Sequence, residues 1–271
     1  MPAIATRVST SKHTRLAALI APAIGAALAG CTRTTEDVTS QHRDAAQGQL
    51  ARLAAVVENA RSAASVTEAT GFEGVAGVAF DDHDTDAPPG NARVLWLTAF
   101  DDPGEHVDPR HWSYAEHAGW WRQTAQALDG SLPENLAALP NRVERRFEEL
   151  EAAEYVLVIR TEHLTEPAHS SGSLFSLGAF AGDALLYRVE NAELLGSFPV
   201  DAFGYSIGFG GMDMTLDPSN PERAVENLKD RLFGCIHQTA MARLNELADG
   251  VASPFVLAEN ERGHLVPRRR D

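Results

Sequence analysis

Apolar positions follow two different periods along this chain. Over 43–66, Leu50, Leu53, Val57, Ala60 and Ala64 recur at spacings of three and four, the period of an amphipathic helix. Residues 141–153, rich in Glu, Arg and Leu with Pro140 just ahead, predict a second helix, and 112–128 predicts another. The last strong helix is predicted over 221–248, with Val225, Leu228, Leu232, Ile236, Thr239, Ala240, Arg243 and Leu247 on one stripe. Its start is signposted: Asn220 can cap it, Pro221 suits the first helical position, and Ser219-x-x-Glu222 has capping-box spacing.

Strand signals are of the other kind. Tyr155-Val156-Leu157-Val158-Ile159, within 154–164, is a nearly unbroken β-former run, as expected where both faces of a strand are covered. Residues 93–100 predict a second strand and 71–80 a third. Segments 184–189 and 194–200 flank the tetrapeptide 190–193 as a hairpin. The Asp-rich stretch 81–91, with Pro88, Pro89 and Gly90, and the Ser/Gly-rich stretch 165–182 predict loops. Strands and helices mix without regular βαβ alternation. The class expected is therefore α+β, a small, largely antiparallel sheet covered by helices. A helical arm over 43–70 precedes a domain over 71–271, and no internal repeat is visible.

The first thirty residues follow a separate logic. Arg7, Lys12 and Arg15 precede 16–30, fifteen uncharged and mostly apolar residues. A bilayer span needs about 20 such residues, so a basic segment followed by this shorter run reads as a secretory signal. The run ends in Leu28-Ala29-Gly30-Cys31, which resembles the lipobox of bacterial lipoproteins. The resemblance covers about the first 31 residues, and the rest of the chain resembles no specific family. It implies that the Cys31 sulfur receives a diacylglycerol and that cleavage before Cys31 frees an amine for further acylation, with palmitate as a typical chain. It also implies a partner, the membrane, reached through the lipid. One acyl chain binds only marginally, whereas two or three anchor stably, at about 0.8 kcal/mol per buried CH₂. Thr32, in place of an Asp, points to the outer membrane facing the periplasm in a Gram-negative cell. The polar residues 31–42 are expected to form a tether between lipid and domain.

Composition narrows the function. The 271 residues carry 23 basic and 38 acidic side chains, a net charge of −15. A chain beginning at Cys31 has lost three basic residues and no acid, and stands at −18. Such a chain is a poor partner for DNA or RNA, whose recognition needs clustered Lys and Arg. Arg268-Arg269-Arg270 is the one basic cluster. With Cys31 committed to lipid, Cys235 is unpaired and expected to be buried.

The candidates for chemistry mostly fail on spacing. Asp82, Asp84 and Asp86 begin like a calcium loop, but Ala87 and Arg93 stand where that loop needs Gly and Glu. His106, His111 and His117, beside Glu105, Asp108 and Glu116, are the candidate metal ligands, yet they match no metal motif. Ser176 lacks the first Gly of a nucleophile elbow. The Gly-rich stretch 204–211 has no following Gly-Lys-Ser/Thr, so no nucleotide site is expected, and no cofactor.

Two aromatic groups remain. Phe203, Tyr205, Ile207 and Phe209 alternate with Gly204, Ser206, Gly208 and Gly210, which would set aromatics on one strand face and bare backbone on the other. Trp112, Tyr114, Trp120 and Trp121 form the second group. Both are either core or contact surface for other envelope proteins. The reading is thus a lipid-anchored cell-envelope protein whose domain binds or scaffolds and performs no catalysis. The alternative is an envelope metal-assisted hydrolase using His106, His111 or His117.

Overall fold

A computed structural model describes residues 33–80, 90–98, 120–171, 174–203, 219–259 and 265–269. The fold is α+β. Its first element is helix α1 (Thr35–Ser62), and its start corrects one expectation. Residues 35–42 are not tether but the first two turns of this helix. The signal is Thr34-x-x-Asp37: the Thr34 hydroxyl accepts from the Asp37 amide at 3.2 Å, and the Asp37 carboxylate accepts from the Thr34 amide at 2.9 Å. This is a reciprocal cap with Asp in the place usually held by Glu. Hydrogen bonds from Thr34 hold the Asp37 carboxyl below the usual carboxylate range. Val38, Ala46, Leu53, Val56, Val57 and Ala60 form the buried stripe of α1.

The central sheet has five strands in the order β1-β8-β7-β4-β3: β1 (Thr70–Gly71), β8 (Glu193–Phe203), β7 (Ala179–Arg188), β4 (Tyr155–Thr165) and β3 (Ala92–Trp96). Three of the four pairings are antiparallel, and β3 runs parallel to β4. A parallel neighbour needs a long crossover, and the described part of this one contains α2 (Trp120–Asp129), α3 (Glu134–Ala137) and α4 (Pro140–Glu151). The hairpin predicted around 190–193 is present, with Tyr187 opposite Leu194 and Arg188 opposite Glu193. Its strands are longer than the pattern suggested. Strand β7 begins at Ala179, inside the stretch predicted as loop, because Gly178 has φ 78° and turns the chain into the sheet.

The rest of that predicted loop is a small exposed hairpin, β5 (Ala168–Ser171) with β6 (Leu174–Ser176). Of the strand predicted over 71–80, only β2 (Val78–Ala79) is a strand besides the Gly71 end of β1, and it pairs in parallel with β9 (Val251–Ala252). Helix α5 (Pro221–Leu247) starts as expected, with the Asn220 side chain accepting from the Arg223 amide at 3.3 Å. After it, β10 (Phe255–Glu259) pairs with β11 (Leu265–Arg269), which no pattern had announced.

The sheet is buried on both faces, each by a separate core. One face packs Val94, Trp96, Leu157, Ile159, Phe180, Leu186, Phe198 and Val200 against α5 and the segment from Phe72 to Phe80. The other packs Leu95, Val156, Val158, Leu185 and Tyr187 against α1, α2 and α4. The continuous apolar run of β4 thus feeds two cores through alternating side chains. At the sheet edge the Phe72 ring lies over Gly196, where an added Cβ would meet it at 2.6 Å.

Candidate functional site

Helix α1 makes a distinct set of contacts at each of its ends. At its beginning, the Arg33 guanidinium pairs with Glu144 of α4 and donates to the Gln41 side chain at 2.7 Å. The Thr35 hydroxyl donates to the Ala137 carbonyl of α3 at 2.6 Å. Two turns further on, His42 stacks on Phe147 with ring centroids 5.2 Å apart and contacts Glu151 at 2.8 Å through Nδ1. The corner where α3 turns into α4 is therefore fixed beside the residues that lead into α1. That corner exposes Pro133, Ala137 and Ala138. Leu139 on the same corner is 46% exposed, one of five large apolar residues so exposed among the described residues.

At its other end, α1 is held by an ion pair on the sheet. Asp183 is fully buried, and Arg160 opposes it in the β4–β7 register. Arg160 donates to Asp183 Oδ1 at 2.8 Å and Oδ2 at 2.6 Å, and to the carbonyls of Ala60, Ala63 and Ala64 at 3.0, 2.5 and 2.8 Å. All five of its N–H groups are thus engaged. A cation belongs at a helix C-terminus, where unpaired carbonyls concentrate negative potential. The Val66 amide completes the clasp by donating to Asp183 Oδ2 at 3.0 Å.

The Asp183 hydrogen bonds keep the Arg160 guanidinium charged, above its ordinary range. Burial raises the neighbouring Tyr187 phenol above 10.0. With its donors consumed, Arg160 has none left for a ligand. The constellation is built to hold, and nothing in it is poised to transfer a proton.

The sequence-predicted residues fall into three groups. Cys31, His106, His111, Trp112, His117, Tyr205 and Phe209 lie outside the described residues. Trp120 is 5% exposed, and its indole N–H donates to the Val94 carbonyl at 3.1 Å. A contact role for Trp120 does not fit that placement: the ring anchors α2 to β3. Trp121 is half-buried against the same core, with the Arg122 guanidinium 5.7 Å from its ring centroid. Phe203 ends β8 and is 43% exposed.

Cys235 is buried on α5, and burial raises its thiol above the ordinary value, which makes it a poor nucleophile. Among the described residues, no three His, Cys, Asp or Glu side chains converge as metal ligands. No described helix is long and apolar enough to cross a membrane.

Sequence reasoning missed the clasp and the corner. A trace of the clasp existed, since Arg160 ends a run of β-formers and Asp183 precedes Ala184-Leu185-Leu186. The corner had no signal, because Leu139 looks like any helix-flanking leucine. No family model matches the chain, and neither does any curated protein or solved structure.

Proposed function

We propose that the protein is a lipid-anchored component of the bacterial cell envelope whose domain binds or scaffolds other envelope components. The observation that carries the reading is Leu28-Ala29-Gly30-Cys31 at the end of a basic-then-apolar leader. The stem would be short. Only Thr32 and Arg33 separate Cys31 from the capping residue Thr34, so an acylated Cys31 would hold the folded domain close to the leaflet. The clasp between Arg160 and Asp183 is consistent with the non-catalytic part, since the most deeply buried charge pair among the described residues is spent on tying α1 to the sheet.

The decisive experiment is metabolic labelling with a palmitate analogue, followed by membrane fractionation. The wild-type chain is expected to carry label and sediment with membranes. Cys31→Ser is expected to lose the label and remain unprocessed. Label persisting in Cys31→Ser refutes the anchor. In-cell crosslinking at Phe203, read by mass spectrometry, then tests the scaffolding role. Capture of an envelope protein supports it, and an empty result at Phe203, Tyr205 and Trp112 alike removes it.

A further inference from the structure

The corner beside the start of α1 has the composition and the position of a membrane-facing surface. From 132 to 140 the chain reads Leu-Pro-Glu-Asn-Leu-Ala-Ala-Leu-Pro, with Glu134 as its one charge. Leu139 is 46% exposed there, among exposed Pro133, Ala137 and Ala138. The corner is also tied to the start of α1, because Thr35 bonds the Ala137 carbonyl and Arg33 pairs with Glu144.

Reach then decides what lies against it. Three residue steps from Cys31 to Thr34 span at most about 11 Å. A folded chain of this length has a radius of gyration of about 18 Å. A body that size on a stem that short cannot stand clear of the bilayer. The surface it rests on is the one surrounding the stem. Charge bears on the kind of lipid. Glu36, Asp37 and Glu134 lie near the stem, Arg33 is matched by Glu144, and Arg142 opens α4 beside the corner, so the surroundings carry both signs and present no basic cluster to hold anionic headgroups.

We propose that residues 133–140 form a foot that rests on a zwitterionic lipid interface beside the anchor, with Leu139 inserted at the boundary between headgroups and acyl chains. The proposal rests on the anchored reading and adds to it an orientation. The beginning of α1 faces the membrane. Helix α1 is about 42 Å long at 1.5 Å per residue. Its far end meets the β7–β8 turn, where the Asn59 side chain donates to the Ala192 carbonyl at 3.0 Å. That turn, with the 46% exposed Leu194 beside it, belongs to the end of the domain away from the foot.

The test uses the full acylated chain, purified in detergent and reconstituted into phosphatidylcholine vesicles that carry a nitroxide quencher near the top of the acyl chain. A small fluorophore is placed on Leu139→Cys or, for comparison, on Leu194→Cys. Cys235 is 1% exposed, so the native thiol is shielded from the label. The fluorophore at 139 is expected to lose about half of its emission, and that at 194 to keep nearly all of it, because interfacial apolar groups sit only about 5–10 Å deep. Ala138→Cys should behave like Leu139→Cys, which covers the case of a perturbed leucine variant.

Flotation of the vesicles separates the two readings. Protein that floats while positions 138 and 139 stay bright overturns the foot and leaves the anchor. Equal quenching at 139 and 194 also overturns it. Protein that does not float overturns the anchor and the foot together.

Discussion

The two ends of α1 solve opposite problems. The C-terminal end is buried, charged and saturated: Arg160 caps three carbonyls while Asp183 neutralises it inside the fold. The N-terminal end is exposed and closed by small local devices, a Thr-Asp capping box and a surface ion pair. The contrast teaches where stability is kept and where surface is left free. A buried pair is costly to break, because removing one partner strands the other charge. A surface pair and a cap are each worth only about 1 kcal/mol or less. The end nearest the proposed anchor can therefore be altered without unfolding the domain, and the clasped end cannot.

That contrast can be broken most directly at Asp183. Asp183→Ala leaves Arg160 half-enclosed without its counter-charge and is expected to cost about 3–5 kcal/mol in urea unfolding. A loss under 1 kcal/mol would show that the helix carbonyls alone satisfy the guanidinium.

Alkaline pH sharpens the same comparison. Burial raises the Tyr187 phenol above 10.0, so the folded chain keeps a proton that the unfolded chain has already released. Stability from this group is complete below pH 10 and falls as pH rises further. The thiol of Cys235 acts with the same sign from pH 9.0. The urea midpoint should therefore decline over this range, and less steeply in Tyr187→Phe combined with Cys235→Ala. Parallel declines in both proteins would remove the assignment.

The N-terminal end should respond more weakly. Thr34→Ala removes the cap and is expected to cost about 1 kcal/mol, with circular dichroism showing fraying confined to a small part of the helical signal. The smallest effect is expected at the corner. Leu139→Ser should shift stability by no more than about 0.5 kcal/mol, as for other exposed positions without special partners. A larger loss would mean that Leu139 supports the fold, and its exposure would then need a different explanation.

Legibility in the sequence followed the length of the repeating pattern. Strand β4, the β7–β8 hairpin and α5 were readable because each sustains one period over many residues. The short strands β5 and β6 were not, and β1 and β2 were read only as one longer strand over 71–80, since two to four residues cannot show a period. The beginning of α1 was hidden because Thr34 to His42 is polar, and polarity suggests a tether unless the Thr34–Asp37 cap is weighed first. Trp120 shows the limit for candidate contacts: an aromatic cluster in sequence is silent about which ring turns inward, and here the Val94 carbonyl decides it.

The sequence by itself determined the class of the fold and the signal that points to an address. Both are local properties, carried by side-chain periodicity and by a contiguous basic, apolar and Leu-Ala-Gly-Cys order. Only the tertiary structure decided that Arg160 meets Asp183 across two strands and reaches back a hundred residues to Ala60. Only it decided that Ala137 lies against Thr35, which places an exposed leucine within reach of the proposed anchor. The physical reason is the same in both cases. A hydrogen bond between distant residues is specified by how the elements between them pack, and no short window of sequence contains that packing.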